Sequence, residues 1–160
     1  NIDFQRDASG CQVIYLDEID VTKEIRQEKC GTNASRIAKF SLVRDELMLL
    51  QKNSIKSPGL VADGRDMGTV VFPEAVLKIF LTASAAERSK RRYKQLKEQG
   101  INLSLSAVLK DILNRDEQDE SRDIAPLVPA LDAVTIDSSN LSIDNVSQEI
   151  IRLYKTRMNA

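Results

Sequence analysis

The 160 residues contain no histidine. Its absence removes Ser-His-Asp arrangements, imidazole-ligated metals and acid–base catalysis by imidazole. Cysteine is almost as scarce. Cys11 and Cys30 are the two present, they show no metal-ligand spacing, and such usage fits packing roles in a reducing cytoplasm. No apolar run approaches the ~18 residues that span a bilayer, so no membrane partner is expected. The net charge is −1, which leaves no overall field to recruit nucleic acid or a membrane surface; any basic site must be local. What remains for chemistry is Arg, Lys, Asp, Glu and hydroxyl groups. That inventory favours phosphate chemistry driven by charge stabilisation over hydrolysis by an activated nucleophile. A hydrophobic content of 42% with 29% charged residues gives one ordinary α/β-sized core with room for a small insert.

The stretch 60–73 organises the chain. Leu60-Val61-Ala62 reads as a short strand delivering Asp63-Gly64-Arg65-Asp66 to a turn, and a second apolar run from Thr69 is stopped by Pro73. Strand, charged loop, strand is how an α/β sheet presents polar groups to a ligand at its carboxyl edge. Arg offers a planar fork to phosphate, and carboxylates accept from sugar hydroxyls or base amines. A surface turn whose charges pair with each other would carry the same residues.

Upstream, residues 1–22 read as a β-meander, with turns at Asp7-Ala8-Ser9-Gly10 and Asp17-Glu18. Thr22 is placed to N-cap a short helix from Lys23-Glu24-Ile25-Arg26, and Gly31-Thr32-Asn33 interrupts it. A long helical stretch then runs over about 34–54, with Ile37, Phe40, Val43, Leu47 and Leu50 as its buried stripe. Ser35 and Arg44 are nine residues apart, on opposite faces of an unbroken helix, so they converge only if the helix restarts near Ser41. Otherwise they are solvent-facing polar residues.

After the breaker Lys56-Ser57-Pro58-Gly59, residues 75–82 read as a buried, parallel strand, and Ser84 caps a helix over roughly 85–99. That helix carries Arg88, Lys90, Arg91, Arg92, Lys94 and Lys97 with few apolar residues. It is either a solvated face or a mobile, arginine-rich lid over polyphosphate, and Tyr93 alone gives too little aromatic interleaving for an ordered nucleic-acid patch. A helix over 105–121, capped by Ser104, bears Arg115, Asp119 and Arg122 at i, i+4, i+7. Solvated ion pairs would share that spacing. An extended connector at 124–129, a strand at 133–137 and an amphipathic helix at 142–157 complete an alternation of strands and helices that predicts a parallel α/β sheet.

Asp63-Gly64-Arg65-Asp66-Met67-Gly68-Thr69-Val70-Val71-Phe72-Pro73, Lys78-Ile79-Phe80-Leu81-Thr82-Ala83-Ser84 with Glu87-Arg88, then Arg115-Asp116, Asp119, Arg122 and Ala125-Pro126-Leu127-Val128-Pro129 closely resemble bacterial cytidylate kinases. Asp20-Val21, Glu24-Ile25-Arg26, Asn33-Ala34-Ser35 and Val43-Arg44 extend the likeness over essentially the whole chain. The resemblance implies a P-loop nucleoside monophosphate kinase fold, a parallel sheet flanked by helices. It implies transfer of the terminal phosphoryl group of ATP, with Mg²⁺, to CMP or dCMP, by a cytoplasmic monomer. Residues 1–57 then correspond to a nucleotide-binding insert with a small antiparallel sheet, and 58–160 to the core, with a lid at about 84–99. Ser35, Arg44 and Asp66 resemble the cytosine-reading groups, Asp63 lies in the same substrate loop, and Arg65 and Arg122 resemble clamps on the CMP phosphate. Arg115 and Asp119 match the pair at the nucleotide sugar and phosphate. Arg88 and Arg92 match lid arginines that neutralise the transferring phosphoryl group.

One family feature is not found. None of the six glycines begins the pattern G-x-x-x-x-G-K-[ST], whose backbone amides, Lys and hydroxyl would hold the donor phosphates and Mg²⁺. The expectation is therefore the C-terminal two-thirds of such an enzyme, lacking its first P-loop strand, carrying the acceptor and lid portions and inactive by itself. A CMP-binding fragment without catalysis and a monophosphate kinase of other base preference are the alternatives; Asp66, which would repel a uracil carbonyl, argues against uracil.

Overall fold

A computed structural model describes residues 1–98, 100–121 and 126–159, except the side chains of residues 28 and 35. The chain divides into two compact units, Asn1–Asn53 and Ser54–Ala160.

The first unit opens with the expected meander. Strands β1 (Ile2–Arg6), β2 (Gln12–Leu16) and β3 (Ile19–Asp20) pair antiparallel in the order β1-β2-β3, with Phe4 opposite Ile14 and Leu16 opposite Ile19. Asp7 holds the first turn: one carboxylate oxygen accepts from the backbone N–H groups of Ser9 and Cys11, each at 2.9 Å. Asp17 and Glu18 both take positive φ, at 48° and 69°. This is the backbone that the two-residue turn of a tight hairpin requires.

The helices of this unit differ from expectation. Residues 22–26 form turns, not a helix, because Thr22 Oγ1 is spent on accepting from the Ile14 amide at 2.8 Å, which ties the chain back to β2. Helix α1 (Glu28–Ile37) runs straight through Gly31-Thr32-Asn33, and α2 (Ser41–Lys52) follows a break at residues 38–40. The restart falls where the Ser35–Arg44 spacing demanded it. Phe40, in extended backbone, occupies the N-cap, with Ser41 already inside the helix. The apolar stripe is not buried: Ile37, Phe40, Leu47 and Leu50 remain about half exposed.

In the second unit, residues 60–62 and the run after Thr69 are not strands. Leu60 to Asp63 is irregular, and Met67–Val71 forms a single π-helical turn. The Asp66 carbonyl accepts from both Val70 and Val71 amides, at 2.9 and 3.2 Å, and Val71 drops into the core. β-branched residues suggest a strand, but a glycine-bearing segment anchored by one buried valine can close a wide turn instead.

Strand β4 (Ile79–Thr82), shorter than predicted, pairs parallel with β5 (Val134–Asp137), Leu81 opposite Ile136. Between them lie α3 (Ala85–Glu98) and α4 (Leu105–Glu120), packed against each other, and α5 (Ile143–Met158) follows. Ser84, Ser104 and Ser142 each accept a backbone N–H three residues ahead and so cap α3, α4 and α5. Gly100, at φ 77°, ends α3: its amide reaches the Lys97 carbonyl and that of Ile101 the Leu96 carbonyl. The core of this unit gathers Val71, Ala83, Leu96, Val108 and Ile136. Along α5 Ile143, Ile151 and Tyr154 are exposed. Of the predicted connector, residues 124–125 lie outside the described residues; the Leu127 amide returns it to the Asp119 carbonyl at 3.0 Å.

Candidate active site

Helix α4 is the rail of the site. Asp116 and Asp119, three residues apart, lie one above the other on the same helix face. Each holds an arginine from a different element.

Asp119 is 1% exposed and forms an ion pair with Arg65, which is carried by the loop before the π-helical turn. A carboxylate this buried requires a cation, and Arg65 supplies it from the charged loop 63–66. The loop can reach because Gly64 permits it: a Cβ there would come within 2.8 Å of Met67 Cγ. The sequence placed Asp119 in a surface stripe between Arg115 and Arg122. In the fold Asp119 turns inward while Arg115 stays exposed, and Arg122 lies outside the described residues.

Asp116 takes Arg88 of α3 end-on. Nη1 donates to Oδ1 at 2.8 Å and Nη2 to Oδ2 at 2.5 Å, while Nε donates to the Ala83 carbonyl just past β4 at 3.0 Å. The Arg88 hydrogen bonds hold the Asp116 carboxyl below its ordinary value, against the opposing effect of partial burial, and the charges of Arg88, Arg65 and Arg115 add to the lowering. Arg88 is raised in turn, first by its bond to Asp116. Both groups are ionised at neutral pH.

One turn along α3, Arg91 donates from Nη2 to the Ser138 carbonyl at 2.6 Å and from Nη1 to the Ser138 hydroxyl at 3.2 Å. Ser138 is itself buried and bonded through its amide and hydroxyl to the Thr82 carbonyl. The basic helix is therefore docked, not the loosely packed element predicted: Ser89 and Leu96 are buried and two arginines fasten it to α4 and to the end of β5. Arg92 points along its own helix and bonds Gln95 at 2.9 Å.

Of the remaining expected residues, Asp63 is exposed and Asp66 half-buried at the head of the π-helical turn. In the first unit, Arg44 lies in the first turn of α2, half-buried, with Nη1 3.5 Å from the Ala38 carbonyl at the end of α1. Ser35 is in α1, and its side chain lies outside the description. Asp116 and Arg91 carry no role in the sequence reading, although Asp116 sits i, i+3 from Asp119, the spacing that puts two acids on one face.

Chemically, arginine forks held by carboxylates suit phosphate, which competes for the same donors with more charge. A metal is a poorer match. Among the described residues no group of three or more His, Cys, Asp or Glu could hold one, and Asp116 and Asp119 are engaged by arginines. These residues do not fit a Mg²⁺ site, which asks for free carboxylates.

A family model described as cytidylate kinase matches residues 1–156. The chain is similar to the cytidylate kinase of Pseudomonas savastanoi pv. phaseolicola, 53% identical over 152 residues, covering 94% of this chain and 66% of that protein. It is similar to that of Stutzerimonas stutzeri, 54% identical over 146 residues, covering 91% and 63%. With that of Colwellia psychrerythraea it shares 49% identity over 151 residues, covering 94% and 67%. The chain thus spans about two thirds of the length of these relatives.

Proposed function

The chain belongs to the cytidylate kinase family, and from that premise we propose that its residues bind and orient the acceptor nucleotide of a CMP/dCMP kinase. In the reaction an oxygen of the CMP phosphate attacks the terminal phosphorus of ATP. The bond from that phosphorus to the bridging oxygen breaks, and ADP and CDP leave. Such transfer is mostly positioning and charge stabilisation, the chemistry available to a protein without histidine.

The observation that carries the reading is the pair of arginine–carboxylate ion pairs on α4, one cation from the loop and one, bound as a fork, from the basic helix. Arg65, with Arg122, clamps the acceptor phosphate. Arg88 and Arg92 neutralise the phosphoryl group in transit. Arg115 serves the sugar and phosphate, and Asp119, buried against Arg65, holds that arginine for the phosphate. Asp66, with Ser35 and Arg44, reads cytosine, its carboxylate accepting from the exocyclic amine while Asp63 frames the loop. Mg²⁺ would travel with ATP and compensate charge on its phosphates.

The 160 residues contain no G-x-x-x-x-G-K-[ST] pattern, so the donor phosphates have no such cradle within them. A polypeptide of these residues alone is therefore expected to bind CMP by calorimetry without forming CDP from ATP. The full-length protein is expected to phosphorylate CMP and dCMP in an ADP-release assay. CDP formation by the 160-residue polypeptide refutes the assignment of the donor site elsewhere, and no CMP phosphorylation by the full-length protein refutes the function.

A further inference from the structure

We propose that Asp116 is a positioning residue for Arg88, fixing where the lid cation stands relative to Arg65. The proposal rests on the reading of Arg88 as a lid arginine.

Arg88 is held at three points, by both oxygens of Asp116 and by the Ala83 carbonyl. Three of its five N–H donors are thereby spent, and two remain for a ligand oxygen. The guanidinium is 39% exposed while its carboxylate partner is 24% exposed, so the acid supports the fork from the protein side and leaves a face to solvent. An ordinary surface ion pair contributes little because two flexible chains must be ordered to make it. Here that ordering is the point: a planar fork bound end-on and at its Nε has one orientation. Asp119, three residues along α4, is ion-paired with Arg65. A single rigid helix therefore sets the spacing between the cation proposed for the acceptor phosphate and the cation proposed for the phosphoryl group in transit. Phosphoryl transfer is sensitive to such spacing, with misplacement by an ångström able to cost about 100-fold.

The test is steady-state kinetics of the full-length protein carrying Arg88→Gln, Asp116→Asn, Asp116→Glu and the double variant Arg88→Gln/Asp116→Asn, with a thermal melt of each. Arg88→Gln is expected to lower kcat by about 10³-fold. Asp116→Asn is expected to lower kcat by about 10-fold or more, with KM for CMP unchanged. Asp116→Glu, which keeps the charge but shifts it by a methylene, should fall between. On the Arg88→Gln background Asp116→Asn should cost nothing further, because its target is gone. Wild-type kcat in both Asp116 variants overturns the proposal, as does an Asp116→Asn loss of the same size with and without Arg88. If Asp116→Asn does not melt cooperatively, Asp116→Glu decides alone: lowered kcat with intact KM upholds the proposal, and wild-type kcat overturns it. Wild-type kcat in Arg88→Gln would instead refute the lid assignment beneath it.

Discussion

Helices α3 and α4 of the second unit and helices α1 and α2 of the first are all amphipathic, but they bury very different things. Ser89, Leu96, Val108 and Asp119 are enclosed along α3 and α4, whereas no described residue of Asn1–Asn53 is buried. The difference lies in what each helix faces. α3 and α4 face each other and are cross-linked by Arg88–Asp116, whereas Leu47 and Leu50 on α2 stay exposed within their own unit. Amphipathic spacing states which face wants covering and leaves open whether anything covers it. Charge contributes to the docking: a helix poor in leucine is fastened by two arginines.

That contrast can be broken at its strongest point first. Arg65→Ala strips the cation from the buried Asp119 carboxylate and is expected to destabilise residues 54–160 by about 3–5 kcal/mol in urea unfolding. A loss near zero would mean that Asp119 is not the buried partner described. Next in size, Leu96→Ala opens a cavity under α3 and should cost about 2–3 kcal/mol. The matched change Leu49→Ala, at a side chain 60% exposed, should stay within about 0.5 kcal/mol. Equal effects from the two leucines would erase the difference between the units.

A smaller effect separates them by pH. Asp116 titrates below its ordinary value in the folded chain, chiefly through its bonds from Arg88. Its contribution to stability is therefore complete above the unfolded value near 3.9 and is lost as pH falls through the lower folded value. Melts of the parent protein taken downward from about pH 5 should lose that contribution, and Asp116→Asn should show a shallower acid slope. Identical slopes would contradict the ion pair.

Much of this was readable from residues, and the failures share a cause. The meander, the caps at Ser84 and Ser104 and the strand near 134–137 follow from local chemistry, and the structure has them. Within the site, the charged loop and the basic helix were visible because Arg65, Asp66 and Arg88 stand out in pattern. What could not be read was pairing over distance. Thr22 has a cap-like position but bonds Ile14 eight residues back, and that choice cancels a helix. Asp119 looks like one member of a surface stripe until Arg65 arrives from 54 residues away. Asp116 was passed over for the same reason, since its partner Arg88 lies on another helix. The run after Thr69 has strand composition, yet the doubled bond to the Asp66 carbonyl makes it a π-helical turn.

If the loop 63–66 addresses a cytosine nucleotide, the affinity of the protein for CMP and UMP, measured with and without Asp66→Ala, must separate the two bases. The substitution is expected to weaken CMP by about 10-fold or more while UMP, which offers a carbonyl in place of the amine, changes little. Equal losses for the two nucleotides would contradict it.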